Sequence, residues 1–115
     1  MPSLFDKPEW IESIANNHSE RTLDNGIVVS TSWHWGSYSS YRYGEGTDDP
    51  TDPAWRGEVG LFCPNGDIIT GNVFGWLSVD QIKRLSDWAA TLDPSEDLTR
   101  IKAPDLDDEY PTTQK

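Results

Sequence analysis

The sequence predicts an α+β domain: an antiparallel sheet of four or five strands packed against a C-terminal helix, with a short helix at the N-terminus. Three observations carry this. Two turn signals, Asn25-Gly26 and Pro64-Asn65-Gly66, each separate stretches with strand character. The segment from Ser78 to Leu92 has the capping residues and apolar spacing of an amphipathic helix. Finally, 115 residues suffice for one hydrophobic core and are too few for two.

Taken in order, the first element is a helix expected from about Lys7 to Asn16. Asp6 and Glu9 have capping-box spacing, Phe5 and Trp10 can form a hydrophobic staple, and Pro8 is tolerated in a first turn. Asn25-Gly26 then suits a type I′ hairpin turn, which needs positive φ at both central positions. The run from Ile27 to Trp35 alternates, so Ile27, Val29, Thr31, Trp33 and Trp35 should share the core face. Gly36-Ser37 suits a tight turn into Tyr38 to Tyr43, which is polar enough for an edge strand or a loop. Residues 44 to 57 lack periodicity and are rich in Gly, Pro and Asp, so they form a long loop of the kind that often carries function.

A second hairpin follows, with Glu58 to Cys63 and Asp67 to Phe74 flanking the turn and Gly66 in its left-handed position. Ser78 as N-cap and Gln81 as its partner start the final helix, whose stripe is Ile82, Leu85, Trp88, Ala89 and Leu92; Asp93-Pro94 stops it. Beyond this point composition turns acidic and proline-containing. The expected division is therefore a single domain over 1–94 and a flexible or loosely docked acidic tail over 95–115.

Twenty acidic against nine basic residues give a formal charge of -11, which repels phosphate backbones and anionic lipid. Direct binding of nucleic acid or membranes is thus disfavoured, and a protein with a basic surface is the favoured partner. The same acidity also serves solubility. Cys63 is the only cysteine and cannot form an internal disulfide, which fits a reducing compartment, and no leader-like segment opens the chain. The protein is expected in the cytoplasm.

Little in the sequence points to catalysis or cofactors. His18 and His34 are the only histidines, and neither stands in a nucleophile motif with an oxyanion-hole glycine run. Asp48-Asp49-Pro50-Thr51-Asp52 gathers oxygen ligands but lacks the glycine and terminal glutamate of a calcium loop, so no metal site and no cofactor is expected. What rises above background is an aromatic cluster interleaved with Ser, Gly and Arg between Trp33 and Trp55. Such composition is typical of binding surfaces, where rigid rings give contact area at low entropy cost. Trp33 and Trp35 are assigned to the core by alternation. The candidate binding residues are Tyr38, Tyr41, Tyr43 and Trp55 as exposed anchors, with Arg42 and Arg56 among them and Asp48, Asp49 and Asp52 steering approach.

From Gly57 to Leu92, the Asn-Gly hairpin followed by Leu77-Ser78-Val79-Asp80-Gln81-Ile82 and an amphipathic helix resembles short acidic accessory proteins of actinobacteria and their phages. The resemblance implies an accessory role in a phage or mobile element and transfers no site residues. The leading expectation is a non-enzymatic binding protein that occupies a basic surface of a protein partner, as an inhibitor, a DNA mimic or a toxin-neutralising protein. Two others stand beside it: a small-ligand or carbohydrate module using an aromatic site, and a minor hydrolase using His34 with a loop carboxylate. An aromatic surface can equally serve self-association.

Overall fold

Two turns of the same construction organise the sheet. In the first, Gly26 donates its N–H to Leu23 O (2.8 Å), Leu23 donates to Ile27 O (2.8 Å), and only Gly26 takes a positive φ, 91°. In the second, Gly66 donates to Cys63 O (2.8 Å), Cys63 donates to Asp67 O (2.9 Å), and Gly66 has φ 96°. Each is a three-residue loop closed by a left-handed glycine. The type I′ expectation at Asn25-Gly26 is corrected accordingly: Asp24 and Asn25 are the central pair, and Asn25 needs no positive φ. The computed structural model describes residues 17–106. The helix expected from Lys7 to Asn16 lies outside the described residues.

Four strands form one antiparallel sheet in sequence order: β1 (His18–Thr22), β2 (Val28–Ser32), β3 (Gly57–Phe62) and β4 (Phe74–Leu77). Register places Val29 opposite Leu61 and Thr31 opposite Val59, so one face of β2 and β3 is apolar and buried. Helix α1 (Val79–Ala89) covers that face with Ile82, Leu85 and Ala89, and Ile27, Trp33, Trp55 and Ile69 complete the core. The α+β architecture with a four-stranded antiparallel sheet and a C-terminal helix is as the sequence predicts. The second hairpin differs from its expected form, because the arm after Gly66 makes a single bridge, Phe62 to Ile68, before a 3-10 turn at Ile69–Gly71 delays the partner strand to Phe74.

The helix is capped as expected. Ser78 Oγ accepts from Gln81 N–H (3.2 Å), and Gln81 Oε1 accepts from Ser78 N–H (2.9 Å). Its C-terminus is held from across the molecule: the Asn25 carboxamide donates to Ala89 O (2.9 Å) and Leu92 O (3.0 Å) while its oxygen accepts from Ile27 N–H (3.1 Å). One side chain thus shapes a hairpin and satisfies carbonyls left open at a helix end.

The described part of the stretch after residue 94, expected to be flexible or loosely docked, contacts the core. Leu98 is 4% exposed in the core, Ile101 and Leu106 pack against it, and Thr70 N–H donates to Leu98 O (2.9 Å). Gln81 Nε2 (3.3 Å) and Arg84 Nη1 (3.1 Å) both donate to Leu106 O. Three apolar residues spaced along an acidic stretch suffice to dock it. Contact with the core therefore continues to Leu106.

Candidate functional site

Strand β2 ends sooner than alternation suggests. Trp33 N–H still pairs with Asn17 O (2.9 Å), but a turn follows in which Ser37 N–H (3.1 Å) and its hydroxyl (2.9 Å) both donate to His34 O. Period-two placement applies only while backbone stays extended, so Trp33 remains in the core and Trp35 rotates out, 61% exposed. This corrects the assignment of Trp35 to the core. No strand forms over Tyr38 to Tyr43; instead buried serines knot the segment. The Ser37 hydroxyl oxygen also accepts from the Ser39 hydroxyl (2.8 Å), and Ser40 Oγ donates to Thr47 O (2.8 Å) while accepting from Arg56 N–H (2.9 Å).

These knots present aromatic rings outward. Tyr43 N–H donates to Trp35 O (2.8 Å), and the two rings meet edge to face at 5.1 Å and 73°. The Arg42 guanidinium lies 4.2 Å from the Tyr38 ring centroid and 4.8 Å from that of Tyr43. Tyr38 is fixed by its N–H to Glu58 Oε1 (2.8 Å), and its carbonyl accepts from Trp76 N–H (2.9 Å), so the loop runs along the outer edge of β4. Gly75 allows this approach, since a Cβ there would stand 2.8 Å from Tyr38 Cβ. Trp35, Tyr38, Arg42, Tyr43 and Trp76 therefore belong to one linked surface, on which all four aromatic residues are exposed, Trp76 by 51%.

Two of these residues hold unusual backbone. Tyr43 has φ 61° and Trp76 has φ 59°, a region that side-chain-bearing residues enter at a cost of about 1 kcal/mol or more. At Trp76 the β3 to β4 ladder is irregular, with the register slipping between Gly57 and Val59. Asn17 and Thr70 also take positive φ, so such backbone is shared between this surface and other turns.

The remaining expected site residues fall elsewhere. Trp55, expected to be an exposed anchor, is 1% exposed and packs edge to face on Trp33 at 5.5 Å and 75°. The turn before it turns the ring inward: Trp55 N–H donates to Asp52 O (2.9 Å) and Ala54 N–H to Asp52 Oδ1 (2.9 Å). Gly57 lies under the indole, where a Cβ would come within 2.6 Å. Arg56 Nη1 donates to Pro53 O (3.0 Å) and Trp55 O (2.7 Å), which ties it to its own loop. Tyr41 is half-buried. Asp48 accepts the Trp33 indole N–H at its carbonyl (2.9 Å), leaving its side chain exposed. Asp49 accepts from Thr51 N–H (3.0 Å) and Oγ–H (2.8 Å), and these bonds hold its carboxyl below the usual range.

Sequence reading thus named Tyr38, Arg42 and Tyr43 and missed Trp35 and Trp76. Trp76 is exposed at the irregular part of the β3 to β4 ladder, where its positive φ breaks simple alternation. His34 is exposed, its Nδ1 accepts from Gly36 N–H (3.1 Å), and it has no carboxylate partner among the described residues. His18 does: Nε2 lies 3.3 Å from Glu20 Oε2, and Nδ1 lies 2.8 Å from Ser32 Oγ. This set stitches β1 to β2 on the open sheet face. Among the described residues no group of His, Cys, Asp and Glu is placed to hold a metal ion. No protein-family description, curated protein or solved structure matches this chain.

Proposed function

We propose that this chain is a non-enzymatic binding protein that seats its aromatic surface on a basic region of a protein partner. The observation that carries the reading is the linked, exposed set Trp35, Tyr38, Tyr43 and Trp76 on a chain of charge -11. Exposed aromatic anchors dominate affinity in protein interfaces, and surrounding carboxylates accelerate encounter with a cationic surface. Asp48, Asp49 and Asp52 on the neighbouring loop supply that steering charge, and Trp35 and Trp76 take the anchoring role expected of Trp55. A phage or mobile-element accessory role is part of this proposal, as is action in the cytoplasm, which the lone buried Cys63 thiol supports.

The perpendicular rings favour a protein over a glycan. Flat stacking of sugars needs open ring faces side by side, whereas Trp35 and Tyr43 meet at 73° and Arg42 covers a face of each tyrosine. The test is affinity capture from host extract at low ionic strength with wild type and a Trp35→Ala/Trp76→Ala variant of unchanged circular dichroism. The expected result is a basic protein retained by the wild type, released by salt and lost with the variant. Equal capture by both, or none by either, refutes the proposal.

A further inference from the structure

We infer that Arg42 is a carboxylate receptor at the centre of the aromatic surface, and that the basic partner presents an Asp, Glu or C-terminal carboxylate to it. This rests on the reading of that surface as a docking face. A guanidinium carries five N–H donors. In Arg42 not one of them reaches an acceptor among the described residues: Nε is buried without a hydrogen-bond partner, and no carboxylate lies within 4.0 Å of the side chain. The terminal nitrogens are not buried in this way, so they open to the surface.

That state is unexpected in so acidic a chain. Glu45 is near in sequence, its N–H donating to Arg42 O (3.2 Å), and Glu58 approaches from β3, yet Glu58 Oε1 is taken by Tyr38 N–H. The cation is held instead by Tyr38 and Tyr43. Aromatic stacking fixes the plane of a guanidinium without consuming its donors, and a fixed fork matches two carboxylate oxygens at once. The two ring contacts lower the cost of ordering the side chain that such a bond usually carries.

A carboxylate fits better than a phosphate. Both offer two oxygens, but a phosphate near neutrality carries up to twice the charge into a field set by Glu45, Glu58 and a net charge of -11. The carboxylate also explains why a basic partner should need one acidic residue: it fixes register on a surface where the other charges only attract.

The probe is sodium benzoate, whose ring can rest on the aromatic surface beside Trp35 and Tyr43 while its carboxylate meets Arg42. The Arg42 Nε–H and tryptophan indole cross-peaks are followed by ¹⁵N NMR during titration with benzoate, neutral benzamide and inorganic phosphate. Benzoate should move the Arg42 and Trp35 signals saturably, and benzamide and phosphate should bind at least about tenfold more weakly. Arg42→Lys, which keeps charge but loses the fork, should weaken benzoate roughly tenfold, and Arg42→Gln should abolish its binding. A stationary Arg42 signal, an Arg42→Lys variant that binds as well as wild type, or phosphate binding as tightly as benzoate would overturn the receptor. Capture of a basic protein through Trp35 and Trp76 without any benzoate effect would remove the receptor and keep the docking face. Benzoate binding without such capture would do the reverse.

Discussion

Replacing Trp55 by alanine should remove much of the domain's stability and leave the exposed aromatic rings chemically unchanged. Trp55 is 1% exposed, packs on Trp33 at 5.5 Å, and sits directly above Gly57, which has no side chain to help fill the void. Truncating a buried tryptophan costs about 3 to 5 kcal/mol, within which an edge-to-face pair accounts for about 0.5 to 1.5 kcal/mol. A domain of this size holds about 5 to 15 kcal/mol in total. Each kcal/mol lowers the melting temperature of such a domain by about 4 °C or more, so Trp55→Ala should melt at least about 12 °C below wild type. Trp35→Ala, by contrast, removes a ring that is 61% exposed and should change stability by no more than about 0.5 to 1 kcal/mol. The assay is urea unfolding followed by far-ultraviolet circular dichroism, because fluorescence itself changes when a tryptophan is removed. The reasoning fails if Trp55→Ala unfolds at the wild-type midpoint, or if Trp35→Ala falls equally far.

Asn25→Ala should cost about 2 to 3 kcal/mol in the same experiment, since three hydrogen bonds are lost. Asn25→Asp should be at least as damaging, because its carboxylate would face the Ala89 and Leu92 carbonyls; a residue needed only for the turn would tolerate Asp, and that outcome would refute its role at the helix end. Burial, with Asp67 and Asp97 nearby, pushes the Cys63 thiol up, so in the native state it should react with a thiol reagent many times more slowly than in urea, and comparable rates would contradict its placement. Thr99 hydrogen bonds hold the Asp97 carboxyl below its ordinary value, so its contribution is present above the unfolded-state carboxylate range and lost as pH falls through the folded value. Asp97→Asn should therefore narrow its melting-temperature deficit from wild type on acidification, and a deficit that is constant with pH would count against the Asp97 interaction.

The parts of the fold legible in the sequence are those fixed by local chemistry. Ser78 and Gln81 determine a helix start through contacts three residues apart, and Gly66 determines a turn through its own φ. Core placement by alternation succeeded for Ile27, Val29, Thr31 and Trp33 and failed one step later, because the turn at His34 to Ser37 depends on a serine network no pairwise pattern encodes. Trp55 was misplaced for a related reason. Its surroundings are polar in sequence, but its ring is aimed by a turn at Asp52 and received by Trp33 from a distant strand. The acidic stretch after Pro94 hid Leu98 in the same way, since average composition does not register a few well-spaced apolar anchors. Arg42 was recognisable as part of an aromatic-rich candidate segment. Its stacking between two tyrosines was not, because Tyr38 reaches it through three-dimensional folding of the loop.

The two tryptophans that close the loop define a boundary of a different sort. Trp33 leaves β2 and Trp55 leads into β3, and their rings meet inside the core. Everything between them, including most of the exposed aromatic surface, hangs from that clasp. The entropy of closing a loop grows slowly, about 0.6 kcal/mol for each doubling of length. Within residues 34 to 54 the tolerant positions are those outside the bonds to Trp33, Trp55, Arg56, Glu58 and Trp76. The clasp thus divides the chain into a part that sets the sheet's register and a part that sets most of the exposed aromatic surface.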